Sequence, residues 1–148
     1  ETGLKGAITA AFGVAPDAAI ALDVTFARQP NAPKSDTVPL GEGPSIAIGP
    51  NFHPKLVKRL KEVAEDREIP YHMDPIPGRS GTDAWAIQVT REGVPTALIS
   101  VPVRYMHQPV ETLAVADVER AGRLLAAFVK ESGQDLLDAL AWEVDGRQ

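Results

Sequence analysis

Apolar positions along the chain follow two periods, and the switches between them outline its elements. Leu4, Ala7, Ile8, Ala11 and Phe12 recur at helical spacing and predict a short helix with one buried stripe, ended by Gly13 and Pro16. Residues 18–25 form a short apolar run broken by a single acid, Asp23, the pattern of a buried parallel strand. A brief strand is predicted over Ser45–Ile48. A helix follows, with Pro54 in its first turn and His53 as its cap. Its buried stripe is Leu56, Val57, Leu60, Val63 and Ala64, and Lys55, Lys58, Lys61, Glu62, Glu65 and Asp66 make a solvated face. Residues 70–73 read as a strand holding His72, residues 84–91 as a helix stopped by Gly93, and residues 96–101 as a buried strand. Val118, Ala121, Gly122, Leu125, Phe128 and Val129 outline a long helix, and Leu136, Leu137 and Leu140 a terminal one.

This order of helices and strands predicts an α/β fold with three layers, helices covering both faces of a mixed, largely parallel sheet. Between the first two strands, residues 28–43 contain three prolines and two glycines with no period and read as a long loop. Loops of that length in compact domains are often functional. At 148 residues, 44% hydrophobic and 24% charged, the chain is sized for one domain. A net charge of −5 without a basic cluster argues against a nucleic-acid or anionic-membrane surface. With no apolar run of about 18 residues, the expectation is a soluble cytoplasmic chain. The sequence opens at Glu1 without a methionine and is expected to be part of a longer protein.

Cysteine is absent, so any metal must be held by histidine and carboxylates. Among three histidines, His107 is the best placed, in a short turn just past the strand at 96–101, with Pro109 after it and Glu111 four positions on. A neighbour fixing its second ring nitrogen would suit a metal ligand. The alternative is a turn histidine bonded to backbone. Asp23 in an apolar strand calls for exposure at the strand's end or for a cation, because burying a lone carboxylate costs several kcal/mol. Glu1 stands just ahead of a helix, where a carboxylate is favoured electrostatically. Thr82 or Asp83 could cap the third helix; capping alone does not account for the surrounding Gly78, Arg79 and Gly81, though a plain loop would. In open α/β sheets, functional groups gather beyond the carboxyl ends of strands, which is where Asp23 and His107 are expected.

Four blocks carry a more specific signal: Glu1-Thr2-Gly3-Leu4-Lys5-Gly6-Ala7, Ala21-Leu22-Asp23-Val24-Thr25, Ser80-Gly81-Thr82-Asp83-Ala84, and Arg104-Tyr105-Met106-His107-Gln108-Pro109-Val110-Glu111. In order and spacing they resemble the glutamyl aminopeptidase and tetrahedral aminopeptidase family of two-metal exopeptidases, over roughly residues 1 to 131. The resemblance implies that Glu1 and His107 bind one divalent metal and Asp23 its neighbour, zinc or cobalt being the best match. Separately, the loop at 28–43 and the turn Gly81, Thr82 and Asp83 are expected to border the substrate pocket, from their placement beside these proposed ligands. The resemblance further implies hydrolysis of peptides at a free N-terminus by a water held between the metals, and a homo-oligomeric complete protein.

The same resemblance puts the general-base glutamate immediately before Glu1, and the other ligands and an inserted oligomerisation domain further upstream. The 148 residues are therefore expected to be the C-terminal portion of a catalytic domain, inactive alone. Gln108, where the family commonly has serine, is a minor departure. Two alternatives stay open: a structural or oligomer-contact half-domain without chemistry, and an endoglucanase, which would need two carboxyl groups flanking a sugar bond and no metal.

Overall fold

Ten α-helices and β-strands, with one 3-10 turn at Lys34–Asp36 in the long loop, succeed one another in the computed structural model, which describes residues 3–140; the proposed ligand Glu1 lies outside the described residues. They are α1 (Lys5–Val14), β1 (Ala19–Phe26), β2 (Ser45–Ile48), α2 (Pro54–Asp66), β3 (His72–Pro75), α3 (Asp83–Gln88), β4 (Thr96–Arg104), β5 (Thr112–Leu113), α4 (Val115–Glu131) and α5 (Gln134–Leu140). The strands join in the order β1-β4-β2-β3, with β5 added to the end of β4. The β1–β4 and β2–β3 pairs are parallel, whereas β2 runs antiparallel to β4, so the sheet is mixed. Every residue of β4 from Thr96 to Ser100 is buried, which requires cover on both faces of the sheet. One group of helices, α2, α4 and α5, packs together and reaches β2 and β4. A second, α1 and α3, packs together with α3 against β1 and β4. The fold is the predicted α/β layering.

The stripe of α2 is buried as expected, with Leu56, Leu60, Val63 and Ala64 at 0% exposure. Two other stripes are not. On α1 only Ala11 is buried, while Ile8 and Phe12 stay exposed, because α1 packs mainly on α3. On α4 the inward residues are Asp117, Ala121, Leu124 and Phe128, and Val118 and Val129 face out. The helix is rotated relative to the expected stripe because its inner face is anchored by a charge. Asp117 is fully buried and accepts the backbone N–H groups of Gly41 and Gly43 at 2.7 and 2.8 Å, with Arg120 at 3.3 Å.

The strand carrying Asp23 is parallel to its partner but not buried: Leu22, Val24 and Phe26 are exposed, since β1 ends the sheet among the described residues. His53 occupies the residue before α2 without bonding its side chain into the helix; its backbone N–H reaches Thr96 O at 2.8 Å. Burial, reinforced by the charge of Lys55, pushes its imidazole pKa down, and a backbone contact at Leu140 opposes the shift. Gly43 shows why the entry to β2 admits no side chain: with φ of +117°, a Cβ there would stand 2.1 Å from Pro70 O, just before β3. Among the described residues no helix is long and apolar enough to cross a membrane.

Candidate active-site cavity

Because β1 and β4 are parallel, their carboxyl ends emerge at the same side of the sheet, and Asp23 pairs in register with Ser100. Beyond β4 the chain reverses through residues 105–111 and returns as β5, pairing Leu113 with Val103, so His107 sits in a hairpin loop. Two non-glycine residues of that loop, Tyr105 and His107, have left-handed backbone at φ of 60° and 64°. Such conformations persist where surrounding bonds over-determine them. Here Tyr105 N donates to Gln29 Oε1 at 2.8 Å, Arg104 Nε to Arg28 O at 2.8 Å, and His107 N to Glu111 Oε1 at 2.6 Å. Glu111 thus serves the backbone of His107 rather than its ring, correcting the expected role of that carboxylate.

Asp23 and His107 line one cavity of about 840 Å³, together with Gly81 and Thr82 from the loop before α3 and with Ser35 and Asp36 from the long loop. Asp83 is not part of the lining and is exposed on the first turn of α3. Thr82 holds the residue position before α3 without a side-chain cap bond; its hydroxyl instead meets Ser80 Oγ at 2.9 Å. Asp23 is half-buried and its Oδ1 accepts the N–H of Val24 at 2.8 Å. The sequence reading missed Asp74 at this wall. Its Oδ2 accepts the hydroxyl of Thr25 at 2.8 Å, across 49 residues of chain. Nothing local signals that pairing, since β4 and β2 stand between β1 and β3 in the sheet and the two side chains meet in the lining of the cavity.

A carboxylate and an imidazole on one cavity wall form a donor set suited to zinc, cobalt or manganese rather than to calcium or magnesium. Among the described residues no three His, Asp or Glu side chains are grouped to hold a metal. A catalytic zinc ordinarily takes three protein ligands, so Asp23 and His107 fit such a site as part of a larger set.

Fold and cavity together define an open α/β domain in which Asp23, in the carboxyl half of β1 rather than beyond its end, and His107, past the end of the parallel strand β4, line one cavity. The chain belongs to the M42 glutamyl aminopeptidase family, whose model matches residues 1–124. It is 48% identical over 132 residues to the lysyl aminopeptidase of Pyrococcus furiosus, covering 88% of this chain and 38% of that protein. An aminopeptidase of the archaeon Desulfurococcus kamchatkensis superposes with a TM-score of 0.88 at 40% identity, over 97% of this chain and 42% of that one. The TET1 peptidase of Pyrococcus horikoshii, described as assembling into a tetrahedron or a large octahedral shell, matches with a TM-score of 0.72 at 32% identity, over 88% and 38%. The chain thus spans about two fifths of the length of these relatives.

Proposed function

We propose that the protein containing this chain is a metal-dependent aminopeptidase that removes the N-terminal residue of peptides, acting in the cytoplasm as a homo-oligomer. The observation that carries this reading is the convergence of Asp23 and His107, 84 positions apart in the sequence, on one cavity wall in a chain of the M42 family. Asp23 would hold one divalent cation, and His107 with Glu1 its neighbour, zinc or cobalt being the best match. When bound, these ions supply Lewis acidity towards the scissile carbonyl and a nucleophilic water near neutral pH.

The residues of this chain do the positioning. Glu111, Gln29 and Arg28 fix the loop that presents His107, and Asp23 is fixed by its strand. Gly81 and Thr82 border the space the substrate would fill, with Asp83 just behind them. The general base that takes the water's proton and passes it to the leaving amine is assigned to a glutamate preceding Glu1. The assembly seen in the Pyrococcus horikoshii relative supports the oligomer reading.

In the complete protein, His107→Ala and Asp23→Asn should each weaken zinc binding by calorimetry by at least about tenfold and abolish amino-acid anilide hydrolysis. The 148 residues alone should be silent. Unaltered metal affinity in both variants, or hydrolysis by the isolated chain, would contradict the assignment. Activity that survives chelation and acts on β-glucans instead of peptides would favour the endoglucanase alternative.

A further inference from the structure

A second cavity, of about 440 Å³, is lined by residues of α1 and α3, and the proposed chemistry leaves it unused. Helix α1 contributes Ile8 and Phe12, and α3 with the turn after it contributes Trp85 and Val89. Ile8, Phe12 and Val89 are exposed, so apolar surface here meets water. Two arginines, Arg79 and Arg91, belong to the same lining, and among the described residues no aspartate or glutamate does. Neither arginine is in an ion pair among the described residues, although acids outnumber bases in the chain by 20 to 15.

Aromatic rings hold both guanidinium groups in place. The guanidinium carbon of Arg79 lies 5.3 Å from the centre of the Trp85 ring, and that of Arg91 lies 4.4 Å from the centre of Phe12. Arg91 also donates from Nε to Phe12 O at 2.8 Å, and its backbone is left-handed at φ of 55°, a conformation that persists where contacts over-determine it. A guanidinium against a ring keeps its N–H edge for a planar acceptor such as a carboxylate. We propose that this cavity binds a carboxylate carried on an apolar body, with the body against Ile8, Phe12 and Val89 and the carboxylate on Arg79 or Arg91. Its volume suits a small molecule or one peptide residue. The C-terminal residue of a peptide has this chemistry, and so does a free aliphatic acid. Arg79 also lies in the loop whose Pro77, Ser80, Gly81 and Thr82 line the first cavity, so one loop serves both.

Calorimetry on the complete protein compares N-acetyl-L-leucine, N-acetyl-L-leucinamide and octanoate, in wild type and in Arg79→Met and Arg91→Met, which keep an apolar stem without the charge. N-acetyl-L-leucine should bind at least about tenfold more tightly than its amide, and each substitution should weaken it about fivefold or more while leaving the amide within about twofold. Should Arg91→Met loosen α1, Arg79→Met alone carries the test. Equal affinity for acid and amide, or an acid affinity that neither substitution lowers, would overturn the site. Two arms then separate the sources. A pentapeptide hydrolysed with higher kcat/KM as the free acid than as its C-terminal amide, the difference erased by Arg79→Met, identifies peptide ends as the occupant. Equal kcat/KM for the two, with octanoate bound through the arginines, identifies a free acid; either result supports the site. Binding is read without turnover, so failure of the aminopeptidase reading would leave this one standing.

Discussion

Asp117 shows how one side chain can set the orientation of a helix. It is fully buried, and its two oxygens take the N–H groups of Gly41 and Gly43 that lead into β2, so the first turn of α4 is tied to the end of the long loop. Arg120, one turn on, adds a charge partner and also donates to Gly41 O at 2.7 Å. Removing the carboxylate strands two loop donors and a guanidinium in a poorly solvated place. Asp117→Ala should therefore cost about 2–4 kcal/mol of unfolding free energy, measured by urea denaturation. A loss below about 0.5 kcal/mol would place the three groups in water rather than in this contact. By hydropathy Asp117 belongs on a solvent face, and its pairing partners lie more than 70 positions away, so residue-level reading had no access to it.

At the scale of elements, α2 and α4 contrast. The apolar positions of α2 repeat cleanly and its charges fall opposite, so the buried stripe read from the sequence is the one observed. Apolar residues on α4 surround much of the helix: Val115, Val118 and Val129 are exposed while Leu124 and Phe128 are buried. Periodicity alone does not choose among overlapping stripes. The choice is tested by a pair of truncations: Leu124→Ala should destabilise by about 2–5 kcal/mol, and Val118→Ala by less than about 1 kcal/mol, in chemical denaturation. A larger loss at Val118 than at Leu124 would mean that α4 packs on the other face. Strand β5 escaped notice for a related reason, since two residues carry no period, yet it makes the excursion bearing His107 a hairpin loop.

For the whole molecule, the exposed apolar residues of α1 and β1 lie in one part of the chain. Ile8, Phe12, Leu22, Val24 and Phe26 are all exposed, and β1 forms one edge of the sheet among the described residues. An apolar edge strand is a template for pairing with another chain. The isolated 148 residues should self-associate, and Val24→Lys, at 37% exposure on that edge, should shift the population towards monomer in light scattering after gel filtration. A monomer at all concentrations would show that this surface tolerates water without a partner.

Local patterning determined which segments become helices and strands, because the periods of apolar residues and the positions of proline and glycine act within a few residues. It also carried the four sequence blocks that mark the family. Tertiary structure decided which elements are neighbours and which face each turns inward. The parallel pairing of β1 with β4 brings Asp23 and His107 to one cavity, Thr25 meets Asp74 there, and Asp117 turns α4. These are contacts between residues far apart in the chain, and their energies exist only once the sheet has assembled.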